Sequence, residues 1–278
     1  MISTSDAVVR PRPFSARGLR QLSLGWLNLP GIAFLVAVAV LWQVAMSIHL
    51  VNPRYLPTPL QIISAISGLA QSGALARNFG HTLYVSLLGW ITATALGIAV
   101  GLVLGLSATT WRFSMASIEF LRALPAIAFV PVAVLLLGFS VKMELVVIIY
   151  VSVWPILIGT IHGAREVTDL HRDVAEMMHM TWLAKVTRLV LPTTAPFIFV
   201  GMQISLSLAL ALALVAEMVG NPTGVGQALI VAQNTFHPAQ MFAYVILIGI
   251  VGVILNAVFL RFVATAFRGT FLARKAQA

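Results

Sequence analysis

The stretch Ala164–Gly201, AREVTDLHRDVAEMMHMTWLAKVTRLVLPTTAPFIFVG, decides how the chain is read. Four of the eight acids (Glu166, Asp169, Asp173, Glu176) and four of the seventeen bases (Arg165, Arg172, Lys185, Arg188) lie between positions 165 and 188. On either side the sequence is apolar enough to sit in lipid. A polar interval this dense between two apolar runs reads as a folded loop built for contact with something in water. Met177, Met178, Met180, Trp182 and Leu183 within it give bulky, adaptable contact groups, of the kind that inserts into a groove on a partner.

The rest of the composition fits a membrane protein. The 278 residues are 60% hydrophobic and 9% charged, where soluble domains carry roughly 25% charged residues. Mean hydropathy is +0.99. With no cysteine, disulfides, thiolate nucleophiles and Cys-ligated metals are excluded. The net charge of +9 belongs to the ends of membrane helices rather than to a nucleic-acid surface. The basic N-terminal residues 1–29 precede an apolar run too long for a signal h-region, and no small-x-small site closes it. They read as a tail before an uncleaved helix.

Intervals poor in charge place six spans: Pro30–Ile48, Thr82–Leu106, Leu121–Phe139, Leu145–His162, Phe197–Val219 and Met241–Phe262, each near the ~20 residues that cross a bilayer. Pro59–Leu69 is too short to span and reads as a surface amphipathic helix. Residues 107–119 read as a short polar connection. Gly89, Ala93, Gly97, Gly101 and Gly105 recur every four positions in the second span, a small-residue face for close helix packing. Pro125 and Pro131 make the third span broken and protein-buried. Domain limits follow: tail 1–29, membrane domain 30–267 with the polar loop at 164–194, and a basic tail 268–278. Six spans put both termini on one side. Only Arg54, Arg77 and Lys142 of the seventeen bases fall opposite, so the termini and the 164–194 loop are expected in the cytoplasm.

Among single residues, Glu217 either shapes an outer gate or satisfies the polar 220–226 turn. Gln203, Ser205 and Ser207 are candidates to line a path, with ordinary interhelical hydrogen bonding as the alternative. Glu119 and Arg122 suit an i,i+3 pair. Glu144 with Lys142 reads as a solvated turn, and His162 and His171 as surface residues. The histidines form neither HxxxH nor HExxH, so no sequence pattern supports a metal site.

Several segments, in order, resemble one family. Asp173-Val174-Ala175 stands where the permeases of binding-protein-dependent ABC importers carry EAA, His179 where they carry glycine, and Leu189, Leu191 and Pro192 where they carry their hydrophobic and Leu-Pro positions. Trp42-Gln43, Leu56-Pro57-Thr58-Pro59, Arg122–Pro131, Leu137-Gly138-Phe139, Ala216-Glu217-Met218 and Gly224-Val225-Gly226 resemble segments of the nitrate/sulfonate/taurine branch. Asp for Glu shortens the carboxylate's reach by a methylene. His179 must take a turn that glycine takes at little cost.

The resemblance implies an all-α membrane fold of the type I importer kind, six spans with a coupling loop between the fourth and fifth. Asp173, Ala175, Met178, His179, Leu191 and Pro192 would form the ATPase-coupling element, and Pro125, Pro131, Gln203, Ser205, Ser207 and Glu217 would belong to the path or gate. It also implies two ATPase subunits carrying the ATP and Mg, a second permease copy, an external binding protein, and a bacterial inner-membrane location. The chain itself would hold no cofactor and hydrolyse nothing; GxxxxGK[ST] does not occur in it. A small organic sulfonate, taurine or nitrate is the expected substrate, with pyrimidine or vitamin-precursor transport as the alternative. A secondary carrier is the competing class, but carriers are commonly built from repeats, and none is visible. A rhomboid-like protease would need a glycine-flanked serine and a histidine on another span, a pair the sequence lacks.

Overall fold

A computed structural model of the chain describes residues 29–48, 56–167, 175–219 and 221–266. These fall into two compact units, Met1–Pro53 and Arg54–Ala278. In the first, α1 spans Leu29–Ser47, an apolar helix whose Phe34, Leu35 and Leu41 are each about two-thirds exposed.

The second unit begins with α2, Pro59–Gln71, close to the expected amphipathic segment. Its start is fixed by a capping box: Thr58 Oγ1 accepts from the Gln61 amide at 3.2 Å while Gln61 Oε1 accepts from the Thr58 amide at 2.9 Å. Pro59, lacking a donor, occupies the first turn, where none is needed. The long helix α3 follows at Ala74–Leu106. It starts eight residues before the expected span because its polar first turns find partners inside the fold. Asn78 Nδ2, for example, donates to Tyr244 Oη at 3.1 Å.

Residues 107–119, expected to be a connection, are instead helical. Ser107 caps α4, Ala108–Ala123, accepting from the Thr110 amide at 3.2 Å. The break lies at Leu124-Pro125: Leu124 is extended (φ −66°, ψ 127°), as the residue before a proline prefers. The chain then turns by 86° into α5, Ala126–Leu137, which contains Pro131. The third expected span is thus a bent helix pair. Next come α6, Val141–Arg165; α7, Trp182–Met218; α8, Val225–Asn234; and α9, Pro238–Ala266. α7 begins fifteen residues before the expected span, so the polar stretch from Trp182 belongs to the same rod as the apolar one. A π-helical turn at Val186–Val190 widens it just before Pro192, whose ring would otherwise meet the carbonyl four residues back.

Among the described residues, four helices are long and apolar enough to cross a membrane: α3, α6, α7 and α9. The bent α4–α5 pair makes a fifth, and α1 is a shorter apolar helix. No strand occurs among the described residues.

The core is α6, sandwiched between α3 and α7. The glycine ladder of α3 lies on α6: a Cβ on Gly97 would fall 2.9 Å from Ile156 Cγ2, and one on Gly101 2.6 Å from Thr160 Cβ. On the other side of α6, a Cβ on Gly201 would fall 2.6 Å from the Pro155 carbonyl oxygen. Close backbone approach gives dispersion contact where lipid offers no hydrophobic drive. Val85, Met143, Val147, Ile148, Ala209 and Ala213 fill the space between the three helices.

Candidate functional site

Two groups of functional side chains lie at opposite ends of this sandwich, because α6 runs from Val141 to Arg165 and α7 returns from Trp182 to Met218. The first is the loop that joins them. Asp173 lies outside the described residues. From Ala175 onward a helical turn closes with paired bonds: the His179 amide donates to the Glu176 carbonyl at 2.9 Å, and the Met180 amide to the Ala175 carbonyl at 3.0 Å. This is the Schellman pattern of a helix end, which requires a left-handed residue at its penultimate position. His179 fills it at φ +48°. Thr181 then caps α7, accepting from the Ala184 amide at 3.3 Å. Ala175 is buried, as are Val167 and Val190 nearby, while Met177, Met178, Trp182 and Leu183 are 65–72% exposed. Buried small residues hold the turn against the bundle and leave a sulfur-rich, aromatic knob outside. Leu191 and Pro192 lie within α7, directly after the π turn. Lys185 Nζ reaches Glu176 Oε1 at 3.4 Å, an exposed pair that contributes little.

The second group is a buried polar cluster at the other end. Glu217 near the end of α7, Glu144 in the first turn of α6 and His81 on α3 converge there. Both acids are fully buried. His81 Nε2 lies 3.1 and 3.4 Å from the two Glu144 oxygens. Glu217 Oε2 accepts from Thr82 Oγ1 at 3.0 Å and from the Gly226 amide at 2.8 Å. Thr82 Oγ1 in turn accepts from the Val225 amide at 3.0 Å. Asn221 Nδ2 and Thr223 Oγ1 stand 3.4 and 3.3 Å from the two ring nitrogens of His81. Gly224, at φ +113°, passes directly over the Glu217 carboxyl, where any Cβ would collide with it.

Glu144 is therefore not the solvated partner of Lys142 that its position suggested; it points inward to His81. Glu217 does satisfy the polar turn after α7, through Gly226. His81, Thr82, Asn221 and Thr223 were missed, since 63 residues separate His81 from Glu144 and 140 separate it from Asn221; the polar interruption of α3 at Asn78–Thr82 was the available signal. Glu119 and Arg122 pair at 2.6 Å on the surface, as their spacing implied.

The remaining candidates are dispersed. Pro125 caps α5 and Pro131 lies inside it without breaking it; the helix is not buried in protein as expected, for Ile127, Leu135 and Leu136 on it are exposed. Ser205 Oγ donates to the Ser152 carbonyl at 2.7 Å and is fully buried between α6 and α7. Gln203 Nε2 donates to Asn256 Oδ1 at 3.1 Å, tying α7 to α9. Ser207 borders a cavity of about 280 Å³ between the same two helices.

Residues 93–269 match the family described as "binding-protein-dependent transport system inner membrane component". The chain belongs to that family. The permease is 28% identical to the aliphatic sulfonates transport permease protein SsuC of Bacillus subtilis, over 90% of its own length and 87% of the relative's. It is 27% identical to the nitrate import permease protein NrtB of Synechocystis, over 84% and 86%. It is also 28% identical to the bicarbonate transport system permease protein CmpB of Synechococcus elongatus, over 91% and 92%. Among solved structures, its fold matches a chain of the MetNI methionine ABC transporter in inward-facing crystal forms. The TM-score is 0.62 at 18% identity, covering 70% of the permease and 97% of that chain. The permease is thus the membrane-embedded, multi-pass component of an ABC importer, a class that works with an ATPase and a binding protein.

Proposed function

We propose that the permease carries a small oxyanion, an organic sulfonate or nitrate in the first instance, and that the turn from Ala175 to Pro192 couples it to ATP hydrolysis on a separate subunit. The observation that carries the coupling is His179. A left-handed residue closes the helix end at the position where the family resemblance calls for glycine. The exposed Met177, Met178, Trp182 and Leu183 form the knob that enters a cleft on the ATPase. Rotation of the ATPase pair on nucleotide binding then moves α6 and α7, the antiparallel helices that the loop joins, as rigid bodies.

The complete assembly in this reading holds two copies of the chain, two ATPase subunits with ATP and Mg, and an external binding protein. The loop and both termini face the cytoplasm of a bacterial cell, and α5, α6 and α7 flank the path. The oxyanion assignment is supported by the relatives named for sulfonates, nitrate and bicarbonate, whose shared chemistry is a small delocalised anion. The test is uptake by proteoliposomes containing the permease, its ATPase and its binding protein. Labelled sulfonate or nitrate is expected to accumulate only with internal ATP and the binding protein. Accumulation without ATP would place the protein among secondary carriers, and ATP-driven uptake of neutral solutes alone would overturn the oxyanion reading.

A further inference from the structure

We propose that His81, Glu144 and Glu217 form a binding site for one divalent first-row cation, with zinc the best match to the ligand set, clamping α3, α6 and α7 together at the end of the bundle away from the loop. The three residues come from three helices, and one potential ligand atom from each lies within 4.8 Å of the other two. Imidazole nitrogen and carboxylate oxygen are ligands that zinc takes at about 2.0–2.2 Å, which at a tetrahedral angle sets neighbouring ligands about 3.4 Å apart. His81 Nε2 stands 3.1 and 3.4 Å from the Glu144 oxygens, close to that spacing.

A second observation points to a ligand. Glu217 is fully buried, its Oε2 is held by Thr82 and Gly226, and its Oε1 is buried with no hydrogen-bond partner among the described residues. A buried carboxylate oxygen without a partner is costly, and a cation beside it removes that cost. The same holds for the charge. No Lys or Arg pairs with either buried acid among the described residues, so ionised Glu144 and Glu217 face only His81. One divalent cation with a neutral imidazole balances two carboxylates, and buried charges are stable when they are paired or bind metal.

The outer partners fit as well. With Nε2 turned to the cation, His81 Nδ1–H faces Thr223 Oγ1 at 3.3 Å, the kind of contact that fixes the tautomer and angle of a ligating histidine. The Asn221 amide lies 3.4 Å from Nε2; half a turn of the amide brings Oδ1 there as a fourth ligand.

The test uses the full chain purified without a polyhistidine tag, stripped with EDTA and titrated with zinc chloride. Metal content is read by mass spectrometry after dialysis, and Tm by thermal unfolding. About one zinc per chain and a raised Tm are expected. His81→Asn and Glu144→Gln are expected to weaken zinc binding by at least ~10-fold while still unfolding cooperatively in EDTA. His237→Asn, on an exposed histidine that is not one of the three ligands, controls for surface binding and is expected to leave affinity unchanged. Wild-type protein that unfolds cooperatively yet retains no zinc and shows no Tm response overturns the proposal. So does a His81→Asn variant that binds as tightly as the wild type.

Discussion

Replacing His179 by glycine tests the coupling turn most sharply. The residue sits at φ +48°, a region that costs an L-residue roughly 1–2 kcal/mol and glycine almost nothing. Against that gain, glycine brings more freedom to the unfolded chain, about 0.5–1 kcal/mol. The net expectation for His179→Gly is a local stabilisation of about 0.5–1 kcal/mol. The Met180 amide, bonded to the Ala175 carbonyl at 3.0 Å, reports it directly, since local opening frees that amide. Its hydrogen exchange in His179→Gly is expected to slow about 2–5-fold, which is that energy expressed as a ratio of populations. ATPase stimulation in proteoliposomes is expected to be kept or raised. His179→Val places a β-branched residue at a positive φ, a strained combination, and is expected to speed exchange at Met180 and to weaken coupling. A folded His179→Gly protein that has lost transport, or a His179→Val protein indistinguishable from wild type, would refute the turn as described.

Other parts of the account have their own tests. Gly101→Leu forces a side chain into Thr160, where a Cβ alone would already lie 2.6 Å away. Loss of folded yield is expected, with at least ~1–3 kcal/mol of overpacking, while Gly249→Leu, whose Cβ would meet nothing within 4 Å, is expected to be tolerated. Glu217→Ala leaves the buried Gly226 amide without its acceptor, while the Thr82 hydroxyl keeps the Asn78 carbonyl at 3.1 Å. A destabilisation of about 1–3 kcal/mol in thermal unfolding is expected, with Glu217→Gln milder because its amide oxygen can still accept. Ser107→Ala removes the α4 cap and is expected to cost about 1 kcal/mol, read by denaturant unfolding in mild detergent.

Much of this architecture was legible in the sequence, and the misses share a cause. Charge-poor intervals located α3, α6, α7 and α9, and the spacing of Gly89, Gly97, Gly101 and Gly105 foretold the face on which α3 meets α6. Pro125 marked the break in the third span. Helix boundaries differ from the expected ones because polar residues continue a helix here wherever the fold satisfies them. The polar turns at Asn78–Thr82 and Trp182–Arg188 stay helical, one stabilised by the buried hydrogen-bond cluster and the other started by the Thr181 cap and continuous with the apolar helix behind it. The polar 107–119 stretch, expected as a connection, forms most of α4 for the same reason. His179 stands where the resemblance places glycine, and its backbone is left-handed at φ +48°. The buried cluster was not visible, because its members come from three helices and the 221–226 segment. Glu144 in particular has Lys142 beside it in sequence and His81 beside it in space.

The most direct measurement is site-specific cross-linking between the loop and an ATPase. The chain has no cysteine of its own, so single cysteines report without background. Met178→Cys on the exposed knob and Phe139→Cys, exposed just before α6 at the opposite end, are each combined with single cysteines lining a cleft of the ATPase subunit. A Met178→Cys cross-link that changes in yield with ATP, and none from Phe139→Cys, is the predicted result. A co-purifying ATPase that cross-links through Phe139→Cys and never through Met178→Cys would contradict the account.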